Sequence, residues 1–378
     1  MNILITTGIF PPDIGGPATY VKNIADEFTR QDHIVRVITY SNQKMEDKEE
    51  YEIFRIKRGR NKLWRYLKYF FTVLRRASWA DVIYVQDAVS AGLPTVYANI
   101  FLRKKIVLKV VGDYAWEQAQ NQFDVRDDLD AFQHQKYDNR IEFWRRVQKF
   151  VAKKSAAIIT PSEYLKKIVK CWGESDEKIK VIYNSFNEPE EIGENIDVPD
   201  GEIIFTAGRL VPWKGIDTLI KIMPRIIEKR PEAKFLIAGD GPEREGLQNL
   251  IVEKGLEDKV KLLGRIEHSK LLGYLKKSNL FILNSSYEGL SHQILEAMWT
   301  GVPIAVSCVG GNPEVIENEK SGLLFEYNNR DEIIDAAVKI LSNNELANQF
   351  SENALRKLKQ FSFDDMVKKT LFVLKKDV

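Results

Sequence analysis

Short runs of β-branched and aromatic residues alternate with longer amphipathic segments along this chain, and the whole pattern occurs twice. In the first half the strand candidates are 2–7 (NILITT), 34–40 (IVRVITY), 81–86 (DVIYVQ), 105–111 (KIVLKVV) and 156–160 (AAIIT). In the second half they are 202–207 (EIIFTA), 233–238 (AKFLIA), 259–263 (KVKLL), 279–284 (NLFILN) and 302–307 (VPIAVS). Amphipathic stretches such as 18–30, 215–230 and 268–277 fall between them. A strand that is apolar along nearly its whole length needs cover on both faces, which a parallel sheet between two layers of helices supplies. Residues 187–202 (NEPEEIGENIDVPDGE) break the pattern with acids, two prolines and two glycines and read as a linker. The expected fold is therefore α/β, with two doubly wound parallel-sheet domains facing each other across a cleft. A chain of 378 residues suits two such domains. In open sheets of this kind, ligands sit beyond the C-terminal strand ends.

Composition narrows the function. Residues 1–187 carry 31 Lys and Arg against 23 Asp and Glu, a balance of +8, while the rest carries 25 against 31, a balance of −6. The basic first half suits a partner of negative sign. Its bases form no recognised nucleic-acid module, so no nucleic-acid partner is expected. Cys171 and Cys308 are far apart, and the four histidines form no ligand cluster. The start, MNILITTGIF, reads as a strand and not as a secretion signal, so a reducing, cytoplasmic setting is expected. The longest uncharged stretch, 88–102, contains Gly92 and Pro94 and reads as a buried helix, not a membrane span.

The strand-end loops carry the chemistry. Gly15 and Gly16 precede a helix after the first strand, where small residues let backbone amides approach an anion, or simply make a turn. AGRLVPWKG (207–215) places Arg209 and Lys214 after the strand ending at 207, a fork and a point charge suited to a diphosphate. In SSYEGLSHQILEAMWTGVP (285–303), EGLSH joins a strand to a helix. Glu288 sits at the mouth, Gly289 frees the backbone, and the amides of Leu290 and Ser291 can face an anion. Glu296 lies two turns deeper, and both carboxylates are acceptors for hydroxyls. GDGPEREG (239–246) has the wrong spacing for a dinucleotide fingerprint and reads as a turn. DLD (128–130) reads as a solvated helix start.

These residues resemble the retaining glycosyltransferases of family 4, which have the GT-B fold and include the glycogen synthase and phosphatidylinositol mannosyltransferase types. The resemblance rests on the glycine pair 15–16, GRLVPWKG (208–215), AGDGP (238–242), the E-x7-E pair 288 and 296, EAMWTGVPIAVS (296–307) and GGNPEVIENEKSGLLF (310–325). It implies an acceptor-binding domain over 1–187 and a nucleotide-sugar-binding domain over 188–362. A helix over 363–378 would cross back to the first domain. It implies a nucleoside-diphosphate sugar as donor and transfer to an acceptor hydroxyl with retained configuration, the departing phosphate oxygen taking the acceptor's proton.

Carried over position by position, the resemblance gives Gly16, beside Gly15, an amide contact to the donor phosphate. Arg209 and Lys214 neutralise the leaving group, which makes an essential metal unnecessary. Glu288 binds the transferred sugar, Leu290 and Ser291 the phosphate, and Glu296 the ribose. Arg265 and Ile266 surround the base. Much of the family has a histidine where this chain has Asp113, so the sugar contact there departs from the pattern. Two other readings compete: an epimerase of the same fold, and a non-catalytic protein that binds sugar nucleotide or a membrane surface.

From residue 55 to residue 80 there are nine Lys and Arg and no acid. Trp64, Leu67, Phe71 and Leu74 recur at helical spacing, with Arg58, Arg60, Lys62, Arg65 and Lys68 around them. Such a helix can lie on an anionic membrane surface or pack on its own domain with a wet basic face. The expectation is a sugar or lipid-linked acceptor handled at the inner face of a membrane.

Overall fold

The computed structural model describes every residue except 14, 43–46, 60, 124, 187, 189–191, 194–195 and 377–378. Its thirteen strands are β1 (Asn2–Thr6), β2 (Ile34–Ser41), β3 (Glu52–Lys57), β4 (Val82–Val85), β5 (Lys105–Lys109), β6 (Ala157–Thr160), β7 (Ile179–Val181), β8 (Glu202–Ala207), β9 (Ala233–Ala238), β10 (Val260–Gly264), β11 (Leu280–Leu283), β12 (Ile304–Ser307) and β13 (Leu323–Phe325). They form two sheets, ordered β3-β2-β1-β4-β5-β6-β7 and β10-β9-β8-β11-β12-β13. Every pairing among them is parallel. The chain divides into one unit of residues 1–183 and 364–378 and a second of 184–363. In each sheet the winding direction reverses beside the first strand, between β1 and β4 and between β8 and β11, which is where ligands of such sheets bind.

The expected strands all form, and three more join them. β3 (EIFRIK) is an edge strand with one buried residue, Ile56, and β7 and β13 are only three residues long. None carries the long apolar run that marks a covered strand. β4, β6, β11 and β12 are buried at every position. Each fully covered Ile, Val, Leu or Phe contributes roughly 1.5–3 kcal/mol. The second core gathers Phe235, Ile237, Leu280 and Ile282 from the sheet with Leu219, Ile220 and Met223 of the helix Ile216–Lys229.

In the first unit the helix Gly16–Arg30 carries Pro17 in its first turn and buries Tyr20, Val21, Ile24, Ala25 and Phe28, the stripe its period predicts. The helix Phe363–Lys375 buries Met366, Val367, Thr370 and Leu374. From Asp364 onward it belongs to this unit. Lys105 Nζ donates to the carbonyls of Val373 (2.9 Å) and Leu374 (3.1 Å), a cation on a helix C-terminus. The uncharged stretch 88–102 needs a correction. Its helix, Gly92–Leu102, is covered on one side only, and Tyr97, Ile100 and Phe101 are exposed. Lack of charge does not say which face is covered.

Candidate active site

The loops leaving β8 to β12 meet at the C-terminal edge of the second sheet and hold one another by backbone hydrogen bonds. The amide of Gly208 donates to Ala238 O at 2.9 Å, that of Leu210 to Asp240 O at 3.0 Å, and that of Gly239 to Gly264 O at 2.8 Å. The Ser286 amide donates to Trp213 O at 2.8 Å and the Gly311 amide to Glu288 O at 2.9 Å. Loops joined this closely need glycine. At Gly310, with φ +56°, a β-carbon would run into the carbonyl oxygen of Glu288. Gly310→Ala should cost roughly 2–4 kcal/mol through backbone strain and overpacking. Urea unfolding of the variant checks this, and an unchanged midpoint would show that the loop yields freely.

The edge carries five polar features. Lys214 ends the 3-10 turn Pro212–Lys214, and its Nζ lies 2.5 Å from Glu288 Oε1. The same oxygen accepts from Ser285 Oγ at 2.7 Å. These side chains are only 14% and 12% exposed, so the pair is built into the fold and is not a surface contact. Glu288 Oε2 has no hydrogen-bond partner among the described residues and remains an acceptor.

Arg209, two residues past β8, is exposed and makes no ion pair among the described residues. Beyond Gly289, Ser291 caps the helix His292–Thr300 without a side-chain cap bond. The amides of Leu290 and Ser291 have no acceptor among the described residues, so a helix N-terminus presents free donors. On that helix, Glu296 Oε1 is 2.9 Å from His268 Nε2. This hydrogen bond raises the His268 pKa above its ordinary value, against partial burial. Arg265, mostly exposed, has Nε 3.5 Å from Asp240 Oδ2, and Ile266 beside it is half-buried.

Sequence reasoning did not single out His268, Ser285 or Asp240 for this site. Each owes its place to a partner distant in the chain or to an ordinary turn motif. The arrangement offers cations and amide donors for an anion, with carboxylates nearby for hydroxyls.

The residues expected in the first unit fare differently. Gly15 has φ +155° and leads into the helix Gly16–Arg30; its carbonyl accepts from the amides of Ala18 and Thr19. Asp113, expected near the donor sugar, is 1% exposed. Its carboxylate accepts from Trp116 N (3.0 Å), Gln148 Nε2 (3.1 Å) and Gln133 Nε2 (3.1 Å). These bonds commit it to internal capping. Arg58, expected on the acceptor face, pairs with Asp13 at 2.5 Å and donates to Gly8 O at 3.2 Å, bracing the loop after β1. Arg60 lies outside the described residues. Lys62, Trp64, Arg65 and Lys68 stand on the helix Lys62–Arg76, which is anchored by buried Tyr69 and Val73. The Trp64, Leu67 and Phe71 stripe is exposed. Asp128 of the DLD stretch caps a helix, accepting from Ala131 N at 2.7 Å, as a helix start should.

Among known proteins, the profile "Glycosyl transferases group 1" matches residues 187–357, and "Glycosyltransferase Family 4" matches residues 14–188. An uncharacterized glycosyltransferase of Methanocaldococcus jannaschii is 34% identical over 235 residues, covering 58% of this chain and 60% of the relative. This chain therefore spans less than two thirds of that relative. Among solved structures, a sucrose-phosphate synthase from Thermosynechococcus elongatus superposes with a TM-score of 0.82 at 19% identity over 98% of both chains. Anabaena Alr3699/HepE, solved in complex with UDP and glucose, superposes with a TM-score of 0.79 at 20% identity over 99% of both. Two family profiles end to end, on two parallel sheets of this topology, place the chain among the family 4-like glycosyltransferases of the GT-B fold.

Proposed function

We propose that the chain moves a sugar from a nucleoside-diphosphate sugar to an acceptor hydroxyl with retained configuration and no essential metal, in the synthesis of cell-envelope glycolipid or polysaccharide. The observation that carries this reading is the shielded Lys214–Glu288–Ser285 cluster beside a helix start without a side-chain cap, with Arg209, which has no ion pair among the described residues, on the neighbouring loop. A departing nucleoside diphosphate concentrates negative charge on its phosphates. Arg209, Lys214 and the amides of Leu290 and Ser291 lower the cost of that charge, the largest kind of catalytic term in most enzymes. Gly289 lets those amides approach.

Glu288 Oε2 accepts from a hydroxyl of the transferred sugar. Glu296, held by His268, accepts from the ribose, and Arg265 and Ile266 border the base. Retention follows if the leaving phosphate oxygen takes the acceptor's proton on the face it departs from; no carboxylate is then needed as a nucleophile. Among the described residues no helix is long and apolar enough to cross a membrane. Peripheral attachment to the inner membrane face, through the basic helix Lys62–Arg76, is part of the proposal.

Thermal unfolding with UDP, GDP, ADP or CMP in EDTA tests the donor site. A ligand at about a hundred times its Kd stabilises by roughly 2.7 kcal/mol. One nucleotide is expected to shift the transition and so name the base. A shift that appears only when Mn²⁺ is added would sink metal independence. An epimerase would turn over without any acceptor, whereas transfer releases nucleoside diphosphate only when one is present.

A further inference from the structure

We infer that a cavity in the first unit takes the hydrocarbon chain of the acceptor, and that Lys62 and Arg65 hold a phosphate at the head of that chain. This rests on the glycosyl-transfer reading above. It adds that the acceptor is an amphiphile with one inserted chain and an anionic head.

The cavity, about 640 Å³, lies among the helices Lys62–Arg76, Gly92–Leu102 and Asn139–Lys154. Its wall is mainly apolar and aromatic, with Tyr66, Phe70, Leu93, Tyr97, Phe143 and Trp144. Volumes of this order hold small ligands, and an apolar wall selects hydrocarbon. Leu63 at its wall is largely exposed, and outside it Trp64, Phe71 and Phe101 are uncovered. Apolar surface grouped in this way, beside a cavity, marks a binding face.

Charge identifies the head. Lys62 and Arg65 line the same cavity, within a 26-residue stretch that has no acid. The Arg65 guanidinium stacks on Tyr40 (5.2 Å) and Tyr66 (5.8 Å), yet its buried Nε has no hydrogen-bond partner among the described residues. An unspent buried donor beside a lysine favours an anion.

Position ties the cavity to the reaction. Val89 and Tyr114 also line it. The Val89 amide is held by Asp87 just past the end of β4, at 3.0 Å, where the first sheet reverses its winding. A chain lying in the cavity therefore brings its head to the ligand edge of that sheet.

The test titrates the full chain with hexyl, octyl, decyl and dodecyl phosphate below their micellar concentrations. Decanol and inorganic phosphate are controls, and binding is read by calorimetry. Expected are one site, affinity rising about fourfold per added methylene, decanol binding at least about tenfold more weakly than decyl phosphate, and no binding of phosphate alone. Leu93→Trp should fill the cavity and abolish binding. Lys62→Ala, at an exposed position that leaves the core intact, should weaken decyl phosphate about fivefold without affecting decanol.

Affinity independent of chain length, or unaltered binding by Leu93→Trp, overturns the inference. So does binding to anionic phospholipid vesicles with none to the monomers, which would mean a flat membrane contact. Self-association that competes with the alkyl phosphates would mean the face is for a second copy, and also overturns it. A nucleotide-induced thermal shift measured on the same samples separates the two proposals. If the shift persists while alkyl phosphates fail, only the cavity assignment falls; if both fail, the transfer reading falls with it.

Discussion

Lys214→Met is expected to cut turnover by about 10²- to 10³-fold, the usual loss when one preorganised donor to a developing anion is removed. Methionine keeps the unbranched stem and so most of the packing, and removes only the charge. In the wild type, Lys214 is held by Glu288 Oε1, which is also held by Ser285. The ammonium therefore reaches the donor already positioned, and little ordering entropy remains to be lost in the reaction. The variant leaves Glu288 with Ser285 as its remaining donor, at a folding cost of roughly 1–3 kcal/mol.

Glu288→Gln should lose a comparable factor for a different reason. The amide keeps the shape but replaces one acceptor oxygen with a donor and uncouples the lysine. Because the two groups act as one unit, the double variant should be little worse than the worse single one. Steady-state kinetics with sugar conjugates of the nucleotide named by the thermal-shift screen supply the numbers, and unfolding midpoints confirm that each variant is folded. A Lys214→Met enzyme within threefold of wild type, or strictly multiplicative losses in the double variant, would remove the pair from the proposed chemistry.

What the sequence revealed, and what it hid, follows from how each signal is written. β8, β9, β11 and β12 were legible because covered parallel strands need nearly continuous apolar runs. β3 was not: its charged, partly exposed residues satisfy only one neighbouring strand. Glu288 and Lys214 stood out individually by their place after a strand. That they meet, 74 residues apart, is a property of the β8–β11 neighbourhood alone. His268 gave no signal of its own, since its partner Glu296 sits on the next helix along the chain. Asp113 and Arg58 show the converse. Both lie beside plausible site positions, yet their side chains are turned to internal partners. Residue type and spacing indicate which groups can reach an edge, and only packing decides which of them stay free to use it. The outward turn of Trp64 and Phe71 belongs to the same class, because a helix period cannot show which of two stripes the core takes when Tyr69 and Val73 form the other.

Lys109 leads to the second large effect, this time on stability. It is the last residue of β5, has no exposed surface, and its Nζ lies 3.5 Å above the ring of Tyr20. Burial disfavours the ammonium and lowers its pKa from 10.5 to about 7. Between those values the unfolded chain holds a proton that the folded chain has released. Stability must then rise with pH across that window, and this contribution is lost as pH falls toward 7. From pH 7 to pH 10 the gain should be about 3 kcal/mol. Above pH 10 the sign reverses, since Tyr20, Tyr69 and Tyr84 are kept neutral by burial while the unfolded chain's tyrosines ionise. Lys109→Met removes the titration and keeps the volume. At pH 7 the comparison with the wild type is most favourable to the variant, since a methionine in this site is not desolvated as an ion. Its advantage should shrink by about 3 kcal/mol on going to pH 10. Urea unfolding of both proteins at each pH measures that difference, and groups common to both cancel from it. A difference that does not change with pH would mean that Lys109 keeps its proton throughout. The Tyr20 ring would then be stabilising the buried ammonium against the desolvation that otherwise dominates this site.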